Sequence, residues 1–134
     1  MIFADSSVLI DYFNGKKNWQ VEKFDEILGE EFVVIGDYIL VEVLQGFRSD
    51  KDYETAKNIL NSFPCFSICG KEIAIKSADN YRILRKKGVT ICKTIDIIIG
   101  TFCIENELIL LHNDKDFYPL EKYLGLQSVI LKSS

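Results

Sequence analysis

The chain is poor in the residues that interrupt folded structure. Two prolines and eight glycines are spread over 134 residues that also carry nine Phe and six Tyr. That balance excludes a disordered or low-complexity chain. Histidine occurs once, as His112, and none of the four cysteines (Cys65, Cys69, Cys92, Cys103) stands in a C-x-x-C pair. A zinc site would have to combine Cys65-x-x-x-Cys69 with two distant thiols. Cys65, Cys69 and Cys103 lie among apolar neighbours and read as reduced thiols packed as small hydrophobes. No charge-free run approaches the ~20 residues that span a bilayer. The opening MIFADSSVLIDYF has no basic stretch, and its acids interrupt any apolar one. No secretory signal is therefore expected, and a cytosolic location is. A basic surplus is also missing, since 16 Lys and Arg face 20 Asp and Glu for a net charge of −4. This argues against a protein that grips nucleic acid by net charge alone, but not against an enzyme whose surplus acids hold cations.

Apolar residues make up 48% of the sequence, enough for one domain spanning 1–134. The pattern alternates. Apolar runs predict strands at Ile2–Ala4, Phe32–Ile35, Phe66–Cys69, Leu108–Leu111 and Ser128–Leu131. Helical spacing predicts helices at Ser6–Phe13, Val21–Leu28, Asp37–Phe47 (with Asp37 as N-cap), Lys51–Phe63, Lys71–Lys87 and Thr94–Asn106, and a short one from Tyr118. Gly88 is placed to close the Lys71–Lys87 helix. Strands separated by helices imply an α/β fold with a mostly parallel sheet, whose sites collect beyond the carboxyl ends of strands.

Most acids read as solvated surface, among them Glu30, Glu31, Asp50, Asp52 and Glu54. Others interrupt or end apolar runs. Asp5 follows IFA at the end of the first strand and precedes a helix, so it is either an N-cap or a carboxylate of the sheet's active edge. Glu42 stands in YILVEVLQGF, on a stripe with Tyr38, Gln45 and Gly46 that reads as a narrow wet side or as a cleft wall. Asp96 shares its helical face with Cys92, Ile99, Gly100 and Cys103, while Glu105 lies opposite on ordinary surface. A buried carboxylate must be protonated, paired or metal-bound. Gly100, lacking a side chain, is expected to leave room beside Asp96 for an ion or substrate. Asp114 and Asp116 follow a strand in LILLHNDKDF and are either turn formers or cleft carboxylates. Asp5, Asp96, Asp114 and Glu42 can converge at one sheet edge, where like charges require protons or a cation. All-oxygen donors favour Mg²⁺ or Mn²⁺, which points to metal-assisted phosphodiester hydrolysis.

The segments ADSSVLIDYF, VEVLQGF and TIDIIIGTFCIENELILLHNDKDF, in this order, resemble the PIN-domain ribonucleases, and more closely the VapC toxins of type II toxin–antitoxin modules. The likeness runs over almost the whole chain. It implies a three-layer α/β/α PIN fold, Mg²⁺- or Mn²⁺-dependent endoribonuclease activity on tRNA or other structured RNA, a homodimer and a VapB-like antitoxin partner. Residue by residue, Asp5, Glu42, Asp96 and Asp114 match the family's acidic quartet, with Asp5 and Asp96 the firmest ligands and Asp116 the rival of Asp114. Ser6 or Ser7 occupies the small hydroxyl position after the first Asp. Many relatives have Thr where this chain has Leu111 or His112. His112 reads as a satisfied structural residue. Lys93 is the better placed RNA contact, and the cluster Arg82, Arg85, Lys86, Lys87 either touches RNA or complements a helix C-terminus.

A receiver-like Mg²⁺-binding signalling domain is a rival of similar length, but Cys69-Gly70-Lys71 follows the strand where its phosphoacceptor Asp should stand. A D-x-D-x-T phosphatase lacks its second Asp in Asp5-Ser6-Ser7. An inactive PIN scaffold that only binds a partner is the remaining alternative, against which the intact acids argue. Setting the quartet aside leaves sixteen acids against sixteen bases, so the net charge of −4 is the charge of the expected cation site.

Overall fold

A computed structural model describes residues 1–30, 32–90 and 93–131. The chain forms β1 (Ile2–Ala4), α1 (Ser6–Phe13), α2 (Trp19–Ile27), β2 (Val33–Gly36), α3 (Asp37–Leu44), α4 (Asp50–Leu60), β3 (Cys65–Phe66), α5 (Lys71–Lys86), α6 (Thr94–Glu105), β4 (Ile109–Leu111), a 3₁₀ turn (Lys115–Phe117) and α7 (Tyr118–Leu124). The strands pair in the order β3-β2-β1-β4, all parallel. Parallel strands covered on both faces carry continuous apolar runs. Accordingly Phe3, Ala4, Val33, Val34, Ile35, Leu110 and Leu111 are fully buried.

The chain moves from β1 to β2 and β3 on one side, then returns to place β4 on the other side of β1. The point of reversal lies between β1 and β4, and the crevice beyond their carboxyl ends is where such sheets bind ligands. Asp5 and residues 112–116 follow those two ends directly.

Local chemistry sets the helix starts. Asn18 accepts from the Val21 N–H at 2.9 Å, which starts α2 two residues before the predicted Val21. Ser49 caps α4 through the Asp52 N–H. Gly88, at φ +79°, ends α5 as expected and lets the Val89 N–H reach the Leu84 carbonyl. Asp37 is not the cap of α3; Gly36 is. The Asp37 carboxylate instead accepts from Tyr38 and Ile68 N–H groups, joining α3 to the segment after β3.

Several expected boundaries move. α3 stops at Leu44 rather than Phe47, and α4 at Leu60 rather than Phe63. β3 is two residues at the sheet edge, Cys65–Phe66, not Phe66–Cys69. The expected strand Ser128–Leu131 reduces to one parallel bridge between Leu110 and Ser128, beyond which Ile130 and Leu131 stand in solvent. Cys65, on the edge strand with no strand beyond it, is exposed, and Cys69, in the segment after that strand, is half-buried; of these thiols only Cys103 is core. Glu31 and Cys92 lie outside the described residues. Among the described residues no helix is long and apolar enough to cross a membrane.

Gly100 also departs from expectation. A Cβ there would collide with Leu120 of α7, so the glycine admits a packing neighbour and leaves no space for an ion. α6 is consequently buried almost all round, with Ile97, Ile99, Thr101, Phe102 and Cys103 removed from water.

Candidate active site

Asp5 serves two purposes. Its N–H donates to the Leu111 carbonyl at 3.0 Å, so the β1–β4 ladder reaches it, and its extended backbone then turns into α1. Oδ2 accepts from the Ser7 N–H at 3.0 Å and from the Ser7 hydroxyl at 2.6 Å. The other oxygen makes no hydrogen bond among the described residues. One half of the carboxylate therefore caps α1 while the other half is left for a further partner. Burial pushes the Asp5 carboxyl above the ordinary carboxylate range, with the Ser7 hydrogen bonds pulling the other way.

The Ser7 hydroxyl also accepts from the Asn113 N–H at 2.9 Å, tying the loop after β4 to Asp5. Asn113 is fixed further by Asp11, which accepts from both the Asn113 and Asn18 side-chain amides. In the same loop the Asp114 N–H donates to Nδ1 of His112, and Oδ1 of Asp114 accepts from the Asp116 N–H at 2.9 Å.

Asp96 enters from α6, where it is 5% exposed. Its Oδ2 is buried with no hydrogen-bond partner. Burial, reinforced by Asp114 and Asp5 and partly opposed by Lys93, pushes its pKa from 3.8 up to about 7. One carboxylate oxygen each of Asp96, Asp114 and Asp116 lie within 4.8 Å of one another. Asp114 and Asp116 are thus both brought to Asp96, with Asp114 forming its local turn at the same time.

Glu42 sits on α3, half-buried, and its Oε1 accepts from the Ser6 hydroxyl at 3.3 Å. Burial and the nearby Asp5 raise its pKa. It lines a cleft of about 100 Å³ with Ile10, Phe13 and Phe47. Tyr38, on the predicted stripe, is exposed as expected, and the wet side of α3 is wider than that stripe indicates, since Val41 is exposed too. The two serines divide the work: Ser7 holds Asp5, and Ser6 touches Glu42.

Lys93 precedes α6, and its charge reaches Asp96 and Glu42. Arg82 and Arg85 lie elsewhere. They line a groove between α5 and α6 with Thr94, Ile97 and Ile98. Residues 94, 97 and 98 share one face of a helix, and residue 96 projects from the opposite face. Residues absent from the candidate set, notably Asn113 and Glu121, join the site through the loop after β4. The sequence signal available for Ser7 is its place two residues after an N-cap Asp.

A bare cluster of carboxylates, one of them with a buried and unpartnered oxygen, is electrostatically unfavourable. A divalent cation satisfies both conditions, and an all-oxygen donor set fits a hard ion such as Mg²⁺ or Mn²⁺ better than zinc. Among the described residues, this acidic triad is the one grouping of potential ligands so closely spaced.

Fold and site together define a class: a parallel α/β protein with carboxylates gathered at the switch point of its sheet. The PIN-domain profile matches residues 2–123. Ribonuclease VapC1 of Methanocaldococcus jannaschii is 30% identical over 122 residues, covering 91% of this chain and 82% of that protein. Ribonuclease VapC11 of Mycobacterium tuberculosis is 25% identical over 130 residues, 96% of this chain and 97% of that one. In three dimensions, a chain of the VapBC2 crystal structure from Rickettsia felis, bound to a DNA fragment from their promoter, aligns with a TM-score of 0.75 at 14% identity, covering 96% and 98% of the two chains. The chain belongs to the PIN-domain family and, within it, to the VapC ribonucleases.

Proposed function

We propose that residues 1–134 form one PIN domain acting in the cytosol as a Mg²⁺- or Mn²⁺-dependent endoribonuclease, the toxin of a type II toxin–antitoxin module. Its substrate is tRNA or another structured RNA. The observation that carries this reading is the close triad Asp96, Asp114 and Asp116, in which Asp96 also has a buried, unpartnered oxygen and feels the charge of Asp5. These four carboxylates would hold the cation, and Glu42 would complete the pocket. A bound divalent ion supplies charge neutralisation, water activation and stabilisation of the leaving oxygen.

The chain's own groups prepare that chemistry. Ser7 orients Asp5, the Asp114 turn aims Asp116, and the crowding of carboxylates favours cation binding over charge repulsion. Lys93, exposed at the start of α6, is the residue best placed to meet an RNA phosphate near the acids. A VapB-like partner is supported by the likeness to the VapBC2 complex and by the cleft beside Glu42, flanked by exposed Ile10. The family likeness also favours a homodimer.

The test is RNA cleavage by purified protein freed of antitoxin. Cleavage should require Mg²⁺ or Mn²⁺, stop with EDTA and be lost in Asp5→Asn and Asp96→Asn. Variants that cut as fast as wild type would overturn the site, and an inert wild type would favour a binding scaffold.

A further inference from the structure

The chain's single histidine connects α7 to the acidic loop. His112 is 8% exposed, with its ring 4.8 Å from that of Phe117 and 6.1 Å from that of Tyr118. Both ring nitrogens are engaged. Nδ1 lies 3.1 Å from the backbone nitrogen of Asp114, and Nε2 lies 2.7 Å from Oε2 of Glu121 on α7.

The tautomer follows from the partners. A backbone N–H can only donate, so Nδ1 must accept and carries no proton. The ring proton then resides on Nε2, where it donates to the Glu121 carboxylate. The line Glu121–His112–Asp114 therefore has a fixed direction. It also extends one step further, because Asp114 Oδ1 accepts from the Asp116 N–H. Rotating Asp114 would shift both carboxylates that face Asp96. The Ser7–Asn113 hydrogen bond restrains the loop from the β1 side, and His112 restrains it from the α7 side.

We propose that His112, oriented by Glu121, is a positioning residue that sets the Asp114 and Asp116 carboxylates against Asp96. It does not touch substrate; it acts by holding the Asp114 backbone. The proposal rests on the reading that the acidic triad holds a divalent cation. Outer partners that orient ligating groups typically matter by one to two orders of magnitude in metal affinity.

The experiment uses the full chain, free of antitoxin, with Mn²⁺ alone as the probe. Long-range ¹H–¹⁵N NMR of the metal-free protein should find the His112 proton on Nε2; a proton on Nδ1 overturns the proposal without reference to any metal. Calorimetric titration with Mn²⁺ then compares two substitutions. His112→Asn keeps an acceptor near the Nδ1 position, whereas His112→Gln places an amide toward Glu121 and removes the Nδ1 acceptor. His112→Gln should weaken Mn²⁺ binding roughly 10- to 100-fold, with His112→Asn within about threefold of wild type. Their melting temperatures in EDTA should be similar, which separates positioning from loss of packing. Equal Mn²⁺ affinities for the two variants overturn the proposal. Should the affinities split as expected while wild type leaves RNA intact, the nuclease reading fails and the positioning role stands. Absence of Mn²⁺ binding by wild type overturns both.

Discussion

Replacing Asp96 by Asn should stabilise the metal-free protein at pH 8 and fail to do so at pH 5. Burial and the neighbouring acids raise the Asp96 pKa from 3.8 to about 7. Below about pH 4 the carboxyl is protonated in both folded and unfolded states, and the stability it confers relative to its charged form is fully present. Between that pH and 7 the unfolded chain releases its proton while the folded one retains it. Stability then falls as pH rises, because the native state binds more protons. Above pH 7 the loss is complete, with an upper bound of about 4 kcal/mol for a displacement of roughly three units. Asn carries no titrating proton but leaves a buried amide short of partners, at a cost of about 1–3 kcal/mol. The net gain at pH 8 is therefore about 1–3 kcal/mol, or on the order of 3–10 °C in Tm for a domain of this size. At pH 5, roughly 1.2 units above 3.8, about 1.6 kcal/mol of that loss has already accrued and largely offsets the amide cost, so the variant should lie close to wild type. Thermal melts of both proteins in EDTA at the two pH values measure the crossing. Adding Mn²⁺ should raise the wild-type Tm and leave the variant's almost unchanged. A stability difference that is the same at pH 5 and pH 8 would refute the reasoning.

Other perturbations probe the supports of the site. Ser7→Ala removes the 2.6 Å hydrogen bond to Asp5 and frees the Asn113 N–H; the Asp5 pKa should rise, moving the acidic limb of the pH–cleavage profile to higher pH. Gly100→Ala should cost about 1–3 kcal/mol by urea unfolding through overlap with Leu120, and the same substitution made in a Leu120→Ala background should cost less, although Leu120→Ala is itself destabilising. Lys93→Ala should slow RNA cleavage more than Arg85→Ala, since Lys93 acts on Asp96 and Glu42 whereas Arg85 lines the groove across α6; equal rates for the two variants would remove Lys93 from the RNA path.

What could be read from the sequence was local. Asp5 is legible because a short apolar run, an acid and a helix start follow one another, and the structure places it at the end of β1 with its side chain on Ser7. Asp96 is legible because a carboxylate among apolar residues on one helical face conflicts with burial. The choice between Asp114 and Asp116 was not legible, since a turn-forming Asp and a cleft Asp have the same spacing. The structure gives Asp114 both roles, capping the 3₁₀ turn with Oδ1 while lying close to Asp96 and Asp116. The misplaced strand ends have a similar cause: Cys65 and Ser128 pair only where a neighbouring strand happens to reach them, and apolar character alone does not reveal that.

Gly100 shows the limit most clearly. A glycine one turn after Asp96 is equally consistent with space for an ion and with close approach of another element, because the deciding residue, Leu120, arrives from α7 through tertiary packing. The difference changes the physics of the site. With Leu120 filling the gap, the Gly100 face of α6 is packed against α7, and burial is the main cause of the raised Asp96 pKa. α7 therefore meets the elements that carry the acids twice: Leu120 packs against Gly100 of α6, while Glu121, the next residue, fixes His112 and through it the Asp114 loop. Adjacent positions on a helix point about 100° apart, so one short helix can press on α6 and reach the loop after β4 at once. The readiness of the site for a cation is then a property of how α7 docks, and substitutions on α7 that spare every carboxylate should still change metal affinity.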